Sequence, residues 1–193
     1  MHWATSAKRL EIVKYFVKQC HCKVDVKDEE EATALHLASQ DGYLDIVKCL
    51  VEEGHCNVNI RINDGRIALH CASSEGHLGI VKYLIEKCHC KVNAKGEQGC
   101  TPLHYASQNG RLEVVKYLVK QGHCNINIQS NDGRTALHCV LQKKRSDIIE
   151  YLNKNGAKIH LNVNVGASDN IIQNLIENGA TIIDKDSAQD RLE

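Results

Sequence analysis

Cysteine and histidine are the residues here best equipped for chemistry. The chain has ten cysteines and eleven histidines among 193 residues. Cys20-His21-Cys22 and Cys88-His89-Cys90 put thiols and imidazoles side by side, the ligand types that zinc takes. A second set pairs a hydroxyl with an imidazole three positions on. Thr33-Ala34-Leu35-His36, Thr101-Pro102-Leu103-His104 and Thr135-Ala136-Leu137-His138 have both groups, and Ile67-Ala68-Leu69-His70 lacks the hydroxyl. Such a pair could serve nucleophilic catalysis.

Spacing argues against both chemistries. His36, His70, His104 and His138 stand 34 residues apart, and so do Cys22, Cys56, Cys90 and Cys124. Zinc needs about four ligands at roughly 2.0–2.3 Å. Matching positions in stacked units lie on the order of 10 Å apart, so one column cannot close on one ion. No carboxylate recurs beside the Thr-His pairs to complete a triad. Neither a Walker loop nor a dinucleotide glycine fingerprint is present. The expectation is no catalytic residue, no metal and no cofactor. The cysteines of the 22 column read as small packing residues, and Cys20 and Cys88 take the helix-end place of Gly54 and Gly122. The rival reading is a metal- or redox-responsive array.

The elements that position these residues repeat with the same period. Leu10 to Val17 recurs as Leu44 to Val51, Leu78 to Ile85 and Leu112 to Val119, and more weakly as Ile148 to Leu152. Apolar residues at i, i+1, i+4 and i+5 make a helix with a narrow buried stripe. Glu11, Asp45 and Glu113 stand three residues before a lysine and can pair with it for about 0.2–0.5 kcal/mol. After each helix, apolar residues alternate, as in Val24 and Val26, Val58 and Ile60, Val92 and Ala94, and Ile126 and Ile128. Period two predicts a short extended arm. Asn63-Asp64-Gly65-Arg66 and Asn131-Asp132-Gly133-Arg134 follow with turn chemistry, predicting a β-hairpin finger. Each Thr-x-Leu-His opens a shorter first helix, about Thr33 to Asp41 in the first full unit, and Gly42, Gly76 and Gly110 end it. Ile67 offers no cap, so that start should be weaker by roughly 1 kcal/mol.

The Thr-Pro-Leu-His-x-Ala signature, the helix pair and the near-33-residue period resemble ankyrin repeats. The resemblance implies an all-α solenoid of stacked helix-turn-helix units with β-hairpin fingers. It covers residues 1–183 as one domain: a partial repeat 1–27, repeats of about 28–61, 62–95, 96–129 and 130–161, and a degenerate C-terminal cap 162–183. Residues 184–193 read as a polar tail or linker. His2 aligns with His36, so the first unit lacks a finger, and the reading favours a piece of a longer array. The family's histidine is understood to bond the finger backbone and tie repeats together. His21, His55, His89 and His123 belong to a run one residue longer than the family's, read as an enlarged loop or, alternatively, a pH-sensitive stripe.

Lys+Arg and Asp+Glu are both 24, so no basic excess points to nucleic acid. No apolar run reaches membrane-spanning length and no signal peptide pattern opens the chain. The expected setting is cytoplasmic, with the nucleus as the other option, and the isolated domain is expected to be monomeric. The resemblance implies a non-catalytic scaffold that binds another protein or peptide through finger tips and the concave first-helix face. The alternative is a targeting or regulatory arm of a larger enzyme, channel or signalling protein. Carried onto this sequence, the contact positions are Glu29, Glu30, Ala32, Gln40 and Asp41, then Asn63, Asp64, Arg66, Ser74 and Glu75. The third and fourth units supply Glu97, Gln98, Cys100, Gln108 and Asn109, and Asn131, Asp132, Arg134, Gln142 and Lys143. The first finger is acidic from Asp28 to Glu31 and the far end basic at Arg134, Lys143, Lys144 and Arg145, a gradient that would orient a polarised partner. Glu31 replaces a turn glycine, predicting a less ordered first finger. Lys144 and Ser146 replace the usual Gly and Leu, predicting that the C-terminal repeats open before residues 67–125 in hydrogen exchange.

Overall fold

The structure is a computed structural model that describes residues 1–141, 145–160 and 181–183. Helices come in pairs: α1 (His2–Ser6) with α2 (Leu10–Lys18), α3 (Ala34–Gln40) with α4 (Leu44–Lys48), and α5 (Ala68–Glu75) with α6 (Leu78–Glu86). The next are α7 (Pro102–Gln108) with α8 (Leu112–Lys120) and α9 (Ala136–Leu141) with α10 (Ser146–Lys154). First helices stack on first helices, α1 on α3, α3 on α5, α5 on α7 and α7 on α9, and second helices stack likewise. β1 (Lys158–His160) pairs in parallel with β2 (Thr181–Ile183), which the sequence reading did not anticipate. The expected cap 162–183 and tail 184–193 otherwise lie outside the described residues, as do Gln142, Lys143 and Lys144.

The core follows the narrow stripe. Ile46, Val47 and Leu50, Ile80, Val81 and Leu84, Val114, Val115 and Leu118, and Ile148 and Leu152 are buried to within about one per cent. Each such side chain contributes on the order of 1.5–3 kcal/mol by leaving water. Ala38, Ala72 and Ala106 are fully buried on the first helices, where a methyl group lets neighbouring helices approach closely. Of the expected surface pairs, Glu11 with Lys14 and Glu113 with Lys116 form at 2.9 and 2.8 Å. Asp45 instead accepts the N–H of Ile46 at 2.9 Å.

The first helix begins on a residue that faces its own histidine. The N–H groups of Thr33, Thr101 and Thr135 donate to Nδ1 of His36, His104 and His138 at 3.0–3.3 Å, and the hydroxyls reach the same nitrogen at 2.8–2.9 Å. Ile67 keeps the backbone bond to His70 Nδ1 at 3.1 Å and has no hydroxyl to add. It therefore loses only half of the arrangement. Gly76 ends α5 at φ +87°. The next repeat's Arg111 covers it, and an added Cβ would stand 2.8 Å from that side chain. Left-handed backbone and close cover both demand glycine there.

The fingers are narrower than predicted. Each closes across its base through one backbone bond, Asp28 N–H to Ala32 O, Ile62 to Arg66, Gly96 to Cys100 and Ser130 to Arg134, at 2.7–3.0 Å. A second bond at the tip runs from the N–H groups of Glu31, Gly65, Gly99 and Gly133 back to the carbonyls of Asp28, Ile62, Gly96 and Ser130, at 2.9–3.1 Å. The expected extended arms turn instead. Ile60, Ala94 and Ile128 donate to the carbonyls of Asn57, Lys91 and Asn125 three residues earlier, which is turn geometry. Val24, Val58 and Ala94 are buried against the stack, whereas Val26 is 50% exposed. Glu31 adopts φ +62°, close to Gly65, Gly99 and Gly133, and its finger closes in the same way. A carboxylate side chain thus bears backbone strain that glycine would avoid.

The extra residue of the 34-residue period sits at the end of the second helix. His21, His55, His89 and His123 have φ of +46° to +51°. Cys22, Cys56, Cys90 and Cys124 donate their N–H groups to carbonyls six residues back, at 3.0–3.1 Å. In the second repeat the widening begins earlier, as a π-helical turn Cys49–Glu53 that continues α4. Widened turns of this kind absorb an inserted residue.

Candidate functional site

The histidine column ties repeats together. Nε2 of His36 lies 3.1 Å from Ile60 O, that of His70 2.9 Å from Ala94 O and that of His104 3.1 Å from Arg134 O. His2 reaches Ala32 O at 3.1 Å in the same manner. A carbonyl on Nε2 requires a proton there, and a backbone N–H on Nδ1 requires a lone pair. The geometry therefore selects the neutral Nε2–H tautomer. Burial holds His70 down to about 4 and lowers His36 and His104 as well. These rings are structural joints with both nitrogens engaged, and they cannot act as acid–base groups toward a bound molecule.

The thiols are similarly placed. Burial pushes Cys56, Cys90, Cys124 and Cys139 up to about 12 and Cys71 up to about 11. At neutral pH they are thiols, poor nucleophiles and poor metal ligands. The small-residue reading fits Cys90, which is buried, and Cys56 and Cys124, which are half-buried. It fails for Cys22, which is exposed, as is Cys20 at the helix end. Among the described residues, no three of His, Cys, Asp or Glu come together in a metal-holding group.

What remains is a line of finger tips and first-helix ends. Glu29, Glu30, Gln40, Asp41, Asn63, Glu75, Glu97, Gln98, Gln108, Asn109, Asn131 and Asp132 are exposed along it. Asp64, Arg66, Cys100 and Arg134 are half-buried. Two expected contact residues are turned inward. Ala32 is 7% exposed beneath His2, and Ser74 is 9% exposed. Ser74 is held by the next repeat, since Asn109 Nδ2 donates to its carbonyl and hydroxyl at 3.1 and 2.8 Å, and Arg111 Nε donates to its carbonyl at 2.9 Å. Asn109 is therefore engaged in the joint as well. Gln142 and Lys143 fall outside the described residues.

Bonds between neighbours hold the fingers in a row. Arg61 Nη1 donates to Lys95 O at 2.6 Å, and Lys95 Nζ donates to Gln129 O at 2.9 Å. Asn131 N–H donates to Gln98 O at 2.7 Å, finger to finger. Sequence reading missed these staples, though Lys27, Arg61 and Lys95 already recur at 34 residues. Within the first finger, Asp28 Oδ1 accepts the N–H groups of Glu30 and Ala32 at 3.0 and 2.8 Å, and Glu31 pairs with Lys27. Of the four acids in that run, Glu29 and Glu30 are the exposed ones.

On the opposite edge, Tyr83 and Tyr117 donate to Glu52 and Glu86 of the preceding repeats at 2.9 Å. Burial, reinforced by the glutamate, raises both phenols, Tyr117 to about 12. Asp25, Asn93 and Asn127 accept N–H groups from the following repeat at 2.8–3.1 Å. That edge is spent on stacking, whereas the finger edge carries exposed side chains.

No helix among the described residues is long and apolar enough to cross a membrane. Comparison of the sequence with curated proteins returned no significant match. The family model for ankyrin repeats (3 copies) matches residues 1–96 and 88–164, the span over which the histidine joints and paired helices recur. The chain belongs to the ankyrin-repeat family, whose repeats are generally protein–protein interaction modules and typically non-catalytic.

Proposed function

We propose that the chain is a non-catalytic scaffold or adaptor whose protein or peptide partner lies along the finger tips and the first-helix face. The observation that carries this is the row of stapled fingers with outward side chains. Cross-finger bonds from Arg61, Lys95 and Asn131 fix the row before any partner arrives. A surface already held in its bound shape loses little entropy on association. Stacking of such units also creates an extended concave side. Among the described residues, the buried rings of His36, His70 and His104 are occupied in joints between repeats.

The acidic first finger and basic Arg134 give the row a direction. Glu29→Lys together with Glu30→Lys is expected to weaken binding of the cognate partner and reduce the salt dependence of its affinity, measured by titration at several ionic strengths. An unchanged salt slope would remove the first finger from the interface.

A further inference from the structure

Two fingers of the row share one sequence and one geometry. Asn63-Asp64-Gly65-Arg66 and Asn131-Asp132-Gly133-Arg134 lie two repeats apart. In each, the aspartate holds its arginine at two points. Asp64 Oδ1 accepts the N–H of Arg66 at 3.0 Å and Oδ2 accepts Nε at 2.6 Å. Asp132 Oδ1 accepts the N–H of Arg134 at 3.4 Å, and Oδ2 lies 3.0 Å from Nε. Among the described residues neither arginine has a hydrogen bond from its Nη groups, and the two side chains are 28% and 36% exposed. Each guanidinium is thus aimed by one carboxylate while the edge that binds a second one stays open.

The intervening repeat differs. Cys100 stands in the arginine position, and Tyr105 lies beneath Arg66 with its ring centre 5.9 Å from the guanidinium carbon. The Tyr105 ring is half-buried and rests edge-on against His70 at 5.7 Å. Between the two charged clamps, the surface is therefore an aromatic ring and a thiol, with exposed Glu97 at the tip above. That middle stretch favours neutral, apolar residues and disfavours acids.

Resting on the protein-binding reading above, we infer that Arg66 and Arg134 are paired clamps for an extended acidic peptide segment. Two stacking steps of about 10 Å separate the clamps by about 20 Å. An extended chain advances about 3.3 Å per residue and presents alternate side chains to one face. The two requirements meet at a spacing of six: carboxylates at i and i+6, with apolar side chains at i+2 and i+4 over Tyr105 and Cys100. A spacing of five fits the length less well and turns one carboxylate away.

The test is to pan the full chain against a displayed random twelve-residue peptide library and then measure enriched peptides by fluorescence anisotropy. The expected result is enrichment of acid pairs six residues apart. Affinity should fall at least tenfold when either acid becomes Gln or the spacing becomes five, and likewise with Arg66→Gln or Arg134→Gln. Arg66→Lys, which keeps the charge and loses the fork, should fall between. Thermal melts of the variants check that each folds, and the peptide changes test the spacing without altering the protein. Peptides that lose binding on Gln108→Lys yet lack paired acids, or ignore both arginine changes, would overturn the clamps and leave the broader surface reading standing. Failure to enrich any peptide would also overturn the clamps.

Discussion

Ile12 and Ile80 occupy the same place in two units, and their surroundings are opposite. Ile80 is 1% exposed and Ile12 is 37% exposed. Tyr117 is 4% exposed with its hydroxyl on Glu86, whereas its counterpart Tyr15 is 57% exposed. Trp3, in the same unit as Tyr15, is 71% exposed. Sequence at these positions is nearly the same, so position in the stack decides what a residue is worth. Stability in such an array is a sum over neighbours. Each inner unit is covered on both sides, and in the structure the first is covered on one.

The largest effect should come from the core column. Ile80→Ala is expected to cost about 3 kcal/mol, within the usual range for a buried aliphatic truncation, and Ile12→Ala under about 1 kcal/mol. Chemical denaturation of both variants checks this, and equal losses would break the comparison. Next comes the histidine column. His70→Ala leaves the Ile67 N–H and the Ala94 carbonyl unmatched in a fully buried joint. Its cost is expected at about 2–3 kcal/mol, against less than about 1 for His2→Ala, where the ring is half-exposed.

Acid sharpens the same contrast. His70 is held down to about 4, and its ordinary value is 6.5. The unfolded chain therefore takes up the proton first as pH falls. The joint contributes fully above about 6.5 and loses its contribution progressively toward about 4, on the order of 3 kcal/mol for this residue. Melts at pH 7 and pH 4.5 should show the loss in the wild type and a smaller one in His70→Gln. A pH-independent melting temperature would contradict the neutral tautomer.

The helix pairs, the glycine stops and the histidine column were legible because each rests on a pattern at fixed spacing. The left-handed histidines were not. His55 and its equivalents read as loop insertions, and only the backbone shows that each takes the strained φ at the end of a widened turn. Lys8 is a similar case. It stands where later units have Gly42 and Gly76, and it accepts φ +52°. The alternation after each second helix imitated a strand, although the residues that alternate sit in a turn and Val26 is 50% exposed. Ala32 and Ser74 were chosen as contacts by family position. The next repeat's asparagine and arginine reach Ser74 through space, which linear spacing does not reveal.

A smaller effect should not depend on place in the stack at all. His55→Gly, His89→Gly and His123→Gly each relieve a left-handed side chain, which costs about 1–2 kcal/mol, offset in part by glycine's greater freedom when unfolded. A net gain on the order of 0.5 kcal/mol is expected at each, by denaturant midpoint. Markedly unequal gains would mean that the widened turns differ between repeats.

The central claim is that one edge of every repeat is spent on stacking and the other presents a partner surface. Hydrogen exchange of the chain, free and with a partner co-purified from native cells, tests it directly. The account predicts new protection in residues 62–66, 96–100 and 130–134, with the widened turns at 55–57, 89–91 and 123–125 unchanged. Protection confined to those turns and the second helices would contradict it.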